Sequence, residues 1–267
     1  MPMARESIDL QSNGDFAGAL DAGLEFIRAH GAWVLPMYAL AVAPTALLML
    51  PIIADIAVHR PGDTAIYVWL LLPAMVWRWC ILARIQQHVR WAVTGKTDGR
   101  LLLRRLFPLI ILRLTLAAGT VWGCWLLLAP GFPFIILSAL VAPSLLDAPT
   151  ISFKHVCRPM LIGLTAPGTW RQLFVLLLTL LVVYIGIIGT LHILADTVIP
   201  SFVGIADLRM QLLLRSSALE LGLALFIWMG FDLLWHSSSV IQFYHVQSRH
   251  TGADIQFRLH ALREKAA

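Results

Sequence analysis

Asp232, His236 and Ser239 stand at i, i+4 and i+7, so a helix carries all three on one face, with Ser237 and Ser238 beside them. A serine, a histidine and a carboxylate could make an activated nucleophile, but acyl transfer also needs oxyanion donors and a place for the substrate. No Gly-rich turn or nucleophile elbow lies near these residues in the sequence, so they are not read as catalytic. No phosphate loop, dinucleotide fingerprint or His/Cys metal pattern occurs either. The expectation is a protein that is not an enzyme and has no metal or other cofactor.

The same residues matter for another reason. Asp232, His236 and Ser239 lie in a long apolar stretch, and Arg78, Arg113 and Asp147 lie in three others. Each ionisable group at mid-membrane costs about 2.5–3.5 kcal/mol on insertion scales, so such residues are the default place to look for function. Arg78, Arg113, Asp147, Asp232, His236 and Ser239 are therefore taken together as an intramembrane polar cluster. One reading is a water-accessible cavity open to the cytoplasm, in which Arg78 or Arg113 counters Asp232 or Asp147. The other reading is structural: Arg78, between Trp77 and Trp79, and Arg113 have side chains long enough to snorkel toward an interface. Asp232 has no such reach and must be protonated, paired or wet.

The elements that must position these groups follow from composition. Of 267 residues, 59% are hydrophobic and 13% charged, against about 25% charged in an ordinary soluble domain. The mean hydropathy is +0.79. Apolar runs such as Trp33 to Ala54 and Leu173 to Leu191 approach the roughly 20 residues that cross a bilayer core. This is an all-α polytopic membrane protein, expected as a bundle of about six transmembrane helices over 32–58, 65–87, 106–128, 132–150, 172–195 and 219–243. The composition excludes a secreted domain, a cytosolic enzyme and a nucleic-acid binder.

Three segments are expected: a cytoplasmic 1–31, the six-helix domain 32–243 and a cytoplasmic tail 244–267. Glu6, Asp9, Asp15, Asp21 and Glu25 precede the first apolar run, so no cleavable signal is read there. Phe16, Leu20, Leu24 and Ile27 share a helical face flanked by Asp15, Asp21, Glu25 and Arg28, which predicts an N-terminal interfacial helix on the cytoplasmic side. The mixed stretch 196–217 is expected as a short external helix, and Cys80, Cys124 and Cys157 lack metal or redox spacing. Prolines crowd the first and fourth spans, at 36, 44 and 51 and at 133, 143 and 149. They mark either kinks in a compact bundle or the broken helices of a transport site. Val42-Ala43-Pro44 repeats as Val141-Ala142-Pro143, and His88-Val89 with Thr94-Gly95 repeats as His245-Val246 with Thr251-Gly252. No single repeat operator relates both pairs, so they are read as chance.

Lys and Arg are distributed unevenly between the two sides. The N-terminal segment has two, the second-to-third connection six, the fourth-to-fifth three and the tail four; the opposite connections have one, none and two. By the positive-inside rule both termini are cytoplasmic. The six basic residues Arg84, Arg90, Lys96, Arg100, Arg104 and Arg105, with Trp91 and Leu101 to Leu103 as anchors, are expected to bind anionic lipid headgroups.

The stretch Phe243-Tyr244-His245-Val246-Gln247-Ser248-Arg249-His250-Thr251-Gly252-Ala253-Asp254-Ile255 resembles the tyrosine-rich, Arg-x-Arg, Glu-Gly-x-Asp-Leu ending of a group of bacterial six-helix proteins. These are related to the membrane domain of glycerophosphoryl diester phosphodiesterase and to YciC-like inner-membrane proteins. Their layout is also similar to Ala19–Pro36, to Gly95–Pro108, and to Ala142-Pro143 through Asp147, Phe153, Lys154 and Arg158 to Trp170-Arg171. The sequence departs at His245, where an acid is usual, at Gln247 for Arg and at Thr251 for Glu.

The resemblance implies a non-enzymatic, multi-pass protein of the bacterial inner membrane. Its expected role is a scaffold or accessory subunit of an envelope complex that binds anionic lipid. The alternative is a transporter or lipid-translocating protein using the polar cluster. Expected partners are membrane lipids, with other membrane proteins or a second copy of the chain, and no nucleic acid.

Overall fold

The computed structural model describes residues 16–58, 64–94, 99–127, 131–193 and 217–251. Among them the chain is helical: α1 Phe16–Val58, α2 Thr64–Thr94, α3 Gly99–Leu127, α4 Gly131–Asp147, α5 Phe153–Thr165, α6 Pro167–Ile193 and α7 Ser217–Thr251. The expected external helix lies outside the described residues except for Ser217. So do Lys96, the first 15 residues and the tail beyond Thr251.

Four of these helices are long and apolar enough to cross a membrane: Gly18–Met49, Arg104–Trp122, Pro167–Ile193 and Gly222–Arg249. Large apolar side chains stand exposed along them, among them Leu47, Phe107, Val121, Phe174, Val182 and Phe226. A water-soluble protein does not carry so much apolar surface. The chain is a helical membrane protein. In α6 only 11% of the most apolar window is buried, against 62% in α7. Most of the apolar surface of α6 is thus exposed, whereas most of α7 is buried.

Two expected spans fall short of that standard for different reasons. The apolar helix Phe132–Asp147 is too short. Helix α2 is long enough at 31 residues but holds Arg78 near its middle and Arg84, Gln86, Gln87, His88 and Arg90 beyond it. At its N-terminal end the structure draws the expected interfacial helix and first span as one helix, α1. No proline stands in α1 before Pro36, and the buried face is Ala19, Gly23 and Phe26 while Leu24 is exposed. Small residues are selected there because a Cβ on Gly23 would already lie 3.0 Å from Ser238 Cβ.

The helices form two compact units. The first comprises residues 1–38, 79–174 and 234–267. In it α3 packs on α4 and α4 on α5, around Leu82, Ile85, Leu109, Ile136, Leu140 and Leu145. Gly119 sits under the Phe134 ring and Gly163 against Leu140, both closer than an added Cβ would allow. The second unit comprises residues 39–78 and 175–233, with Ala41, Thr45, Ala74, Leu176 and Met229 buried.

Prolines sit within α2, α3, α4 and α5 at 73, 108, 143 and 159, and Pro36, Pro44 and Pro51 lie within α1. Proline has no N–H, so each one leaves the carbonyl four residues earlier without its helical donor. Pro149 follows the end of α4, and Pro167 occupies the first position of α6, where a missing N–H costs nothing.

Candidate functional site

Leu82, Ala83, Gln86, Val89 and Arg90 recur at helical spacing and are buried, so the inward face of α2 carries an amide and a guanidinium among its apolar groups. Gln86 is the node of the first unit. Its Nε2 donates to Ala139 O at 3.0 Å and meets His236 Nδ1 at 3.2 Å. Its Oε1 accepts from Arg113 Nη2 at 2.8 Å. A carbonyl can only accept and a guanidinium can only donate, which fixes the amide's orientation and makes His236 Nδ1 an acceptor, with the ring proton on Nε2. Arg113, 2% exposed, also reaches Trp79 O at 3.3 Å.

The Ala139 carbonyl is available for a reason legible in the sequence. Pro143 stands four residues later and removes the donor that Ala139 O would have had. Gln86 replaces it from another helix.

Two further cations of this unit are turned inward. Arg90 binds Asp147 at 2.7 Å through Nη2 and 2.9 Å through Nε, with Tyr244 lying against the pair. Burial works against the Arg90 charge, but Asp147 and Tyr244 more than offset it and the guanidinium is held above its ordinary range. Arg105 donates to Leu145 O, in the last turn of α4, where carbonyls lack intrahelical donors. Gln172 Nε2 donates to Ser238 Oγ, which in turn donates to Leu234 O at 2.6 Å.

In the second unit Arg78 Nη2 meets Asp232 Oδ2 at 2.6 Å, the two side chains being 14% and 6% exposed. Trp77, one residue earlier, donates its indole N–H to Leu40 O at 3.0 Å. Leu40 precedes Pro44 by four residues, so this is the second proline-freed carbonyl taken by a side chain of α2. His192 Nε2 and Glu220 Oε1 approach to 3.5 Å.

The six residues read as one polar cluster are thus bound in separate groups. Arg78 pairs with Asp232, Arg113 and His236 share Gln86, and Asp147 pairs with Arg90. Ser239 is buried, with no hydrogen bond from its Oγ to a described residue. Of the six basic residues read as headgroup ligands, Arg84 and Arg104 are exposed while Arg90 and Arg105 are buried. Arg84 donates to Gln87 Oε1 at 2.7 Å. Lys96 and the side chain of Arg100 lie outside the description. No group of three or more His, Cys, Asp or Glu that could hold a metal occurs among the described residues.

Comparison with protein families, curated proteins and solved structures gives no match. The site must be understood from its own geometry.

Three features escape a reading of composition. Gln86 and Arg90 are marked only by their place on the buried stripe of α2. Helix α5, within what reads as a basic connection, carries Val156, Met160 and Gly163 on a buried face. The third is a ring cluster in the first unit. His88 packs on Trp33 at 4.6 Å, His30 at 5.0 Å, Trp91 at 5.1 Å and Phe26 at 5.9 Å between ring centroids.

His88 follows the expected end of the second span. Burial, with His30 and Arg84 adding to it, pushes its pKa down to about 4. The unfolded chain therefore binds a proton near pH 6.5 that the folded chain refuses. Stability contributed by the neutral ring is fully present above pH 6.5 and falls as pH drops from there toward 4. Melting temperatures of the detergent-solubilised protein should decline over that window, and His88→Phe should flatten the decline. An equal decline in the variant would remove His88 as its cause.

Proposed function

We propose that the chain is a non-enzymatic multi-pass protein of the bacterial inner membrane, acting as a scaffold or accessory subunit of an envelope complex. In this reading α2 and α4 also cross the bilayer, giving six spans with both termini cytoplasmic. At about 1.5 Å per residue α2 would extend roughly 46 Å, beyond the roughly 30 Å of a hydrocarbon core, and its polar groups are directed at protein partners. Arg84 and Arg104 remain available to anionic headgroups.

The observation that supports a scaffold over a transporter is the mutual bonding of the deep polar groups. A wet transport site needs ionisable side chains that face water and exchange partners. Here Arg78 and Asp232 bind each other at 2.6 Å and Arg90 and Asp147 at 2.7 Å, while His236 is bonded to Gln86. These contacts serve helix association. The family resemblance in the last helix agrees with that role.

Purification in mild detergent followed by mass spectrometry tests the proposal. A membrane partner, or a second copy of the chain, should co-purify in fixed stoichiometry together with anionic lipid. A monomer that recovers no partner, yet moves solute or lipid across reconstituted vesicles in a manner abolished by Asp232→Asn, would replace this reading with the transporter.

A further inference from the structure

Helix α5 has two unlike faces. Val156, Met160 and Gly163 are buried, whereas Lys154, Arg158, Leu161 and Thr165, spaced by four, three and four, are exposed on the opposite side. Phe153 is 84% exposed, Ile151 56% and Leu161 54%. A membrane protein presents such bare apolar groups beside lysine and arginine where lipid tails meet headgroups. Trp170, at the start of α6, donates its indole N–H to Leu164 O at 2.7 Å. An aromatic ring with a satisfied polar edge is the side chain found at that level of a bilayer.

Along the flank between these faces runs a cleft of about 280 Å³, lined by Arg158, Pro159, Ile162 and Gly163 of α5 and by Phe243, Val246 and Gln247 of α7. The α7 residues recur at i, i+3 and i+4, one helical face. The floor is apolar. Arg158 supplies the charge, and it makes no ion pair or hydrogen bond among the described residues. Lys154 stands one turn before it on the same face.

We propose that this cleft is a binding site for one anionic phospholipid, with Arg158 and Lys154 on the phosphate and the first part of an acyl chain against Ile162, Phe243 and Val246. The volume is near the lower end of the roughly 300–1,000 Å³ of ligand pockets, which suits a headgroup and chain root and leaves the rest of the lipid in the bilayer. Exposed basic residues with no carboxylate partner among the described residues call for an anion, and an apolar floor beside them calls for an anion joined to hydrocarbon. This site is separate from Arg84 and Arg104 and requires only that the protein be membrane-embedded; it does not depend on the scaffold reading.

The test uses the full chain, delipidated in detergent, with native mass spectrometry and melting temperature as readouts. Added phosphatidylglycerol should bind and raise the melting temperature, while phosphatidylcholine and inorganic phosphate should do neither. Arg158→Gln should weaken phosphatidylglycerol binding about fivefold, and Lys154→Gln with Arg158→Gln about 25-fold, on the usual contribution of one basic residue near a headgroup. Arg158→Lys should retain most of the binding. Val246→Trp, which fills the cleft without touching a charge, should weaken it too. Arg158 and Lys154 are exposed, so their variants should keep the wild-type melting temperature without lipid. Binding unchanged in Arg158→Gln, unchanged in Val246→Trp, or reproduced by inorganic phosphate would overturn the proposal. Partner recovery in the co-purification experiment would be unaffected by any of these results.

Discussion

Asp232→Asn should cost about 3–5 kcal/mol of stability, the range seen when a buried ion pair loses one member. Asp232 and Arg78 meet at 2.6 Å with little solvent on either side chain, so the variant leaves a guanidinium whose closest anion has gone. An asparagine oxygen can still accept a hydrogen bond from Arg78, but it supplies no charge. Unfolding by titration with a denaturing detergent, followed by circular dichroism, measures the loss. Arg78→Met with Asp232→Leu removes both charges together and should recover most of the stability, because an apolar pair of similar size needs no compensation. A single variant as stable as wild type would mean that the pair adds nothing to folding and that Asp232 is held by other means.

Gln86→Leu should be nearly as damaging, at about 2–4 kcal/mol, for a different reason. One amide meets a carbonyl, an imidazole and a guanidinium, and leucine fills its volume while meeting none of them. Each buried polar group left unbonded costs about 1–3 kcal/mol. The Ala139 carbonyl can be treated separately, since Pro143→Ala restores an N–H in register with it. Pro143→Ala should therefore recover about 1 kcal/mol in the Gln86→Leu background while giving no such gain in the wild type, where Gln86 already occupies the carbonyl. Equal effects of Pro143→Ala in both backgrounds would show that the amide and the proline act independently.

The membrane class was legible because it depends on composition alone: a charged fraction of 13% over 267 residues leaves little else possible. Asp232 stood out too, since a short carboxylate in the middle of an apolar run must be protonated, paired or wet, and the folded chain pairs it. Which partner was not legible. Arg78 and Arg113 both suited Asp232 by charge and depth, and only the folded chain separates them, placing Arg78 on Asp232 and Arg113 on Gln86.

Which charges of α2 turn inward was not legible from hydropathy. It counts polar residues within a window and ignores their direction, so Arg90, turned onto Asp147, is scored like the exposed Arg84. Helix α5 was obscured for a related reason. Lys154 and Arg158 were read as topology charges, although Val156, Met160 and Gly163 at i, i+4 and i+7 spell a buried stripe. At the N-terminus the sequence showed the large apolar stripe Phe16, Leu20, Leu24 and Ile27, expected to lie on the membrane, but not the stripe that packs on protein, Ala19, Gly23 and Phe26, where the close approach to Ser238 requires a small residue at Gly23.

The two carbonyls released by Pro44 and Pro143 bear on the order in which the chain matures. A helix normally enters the bilayer with its backbone bonds complete. In α1 and α4 these bonds are not complete within the helix, because Leu40 and Ala139 receive their donors from Trp77 and Gln86 of α2. Because α1 precedes α2 in the chain and α4 follows it, the Leu40 carbonyl is synthesised before its donor and the Ala139 carbonyl after. A nascent chain stopped after α1 would therefore expose an unmet backbone group to the insertion machinery or to water.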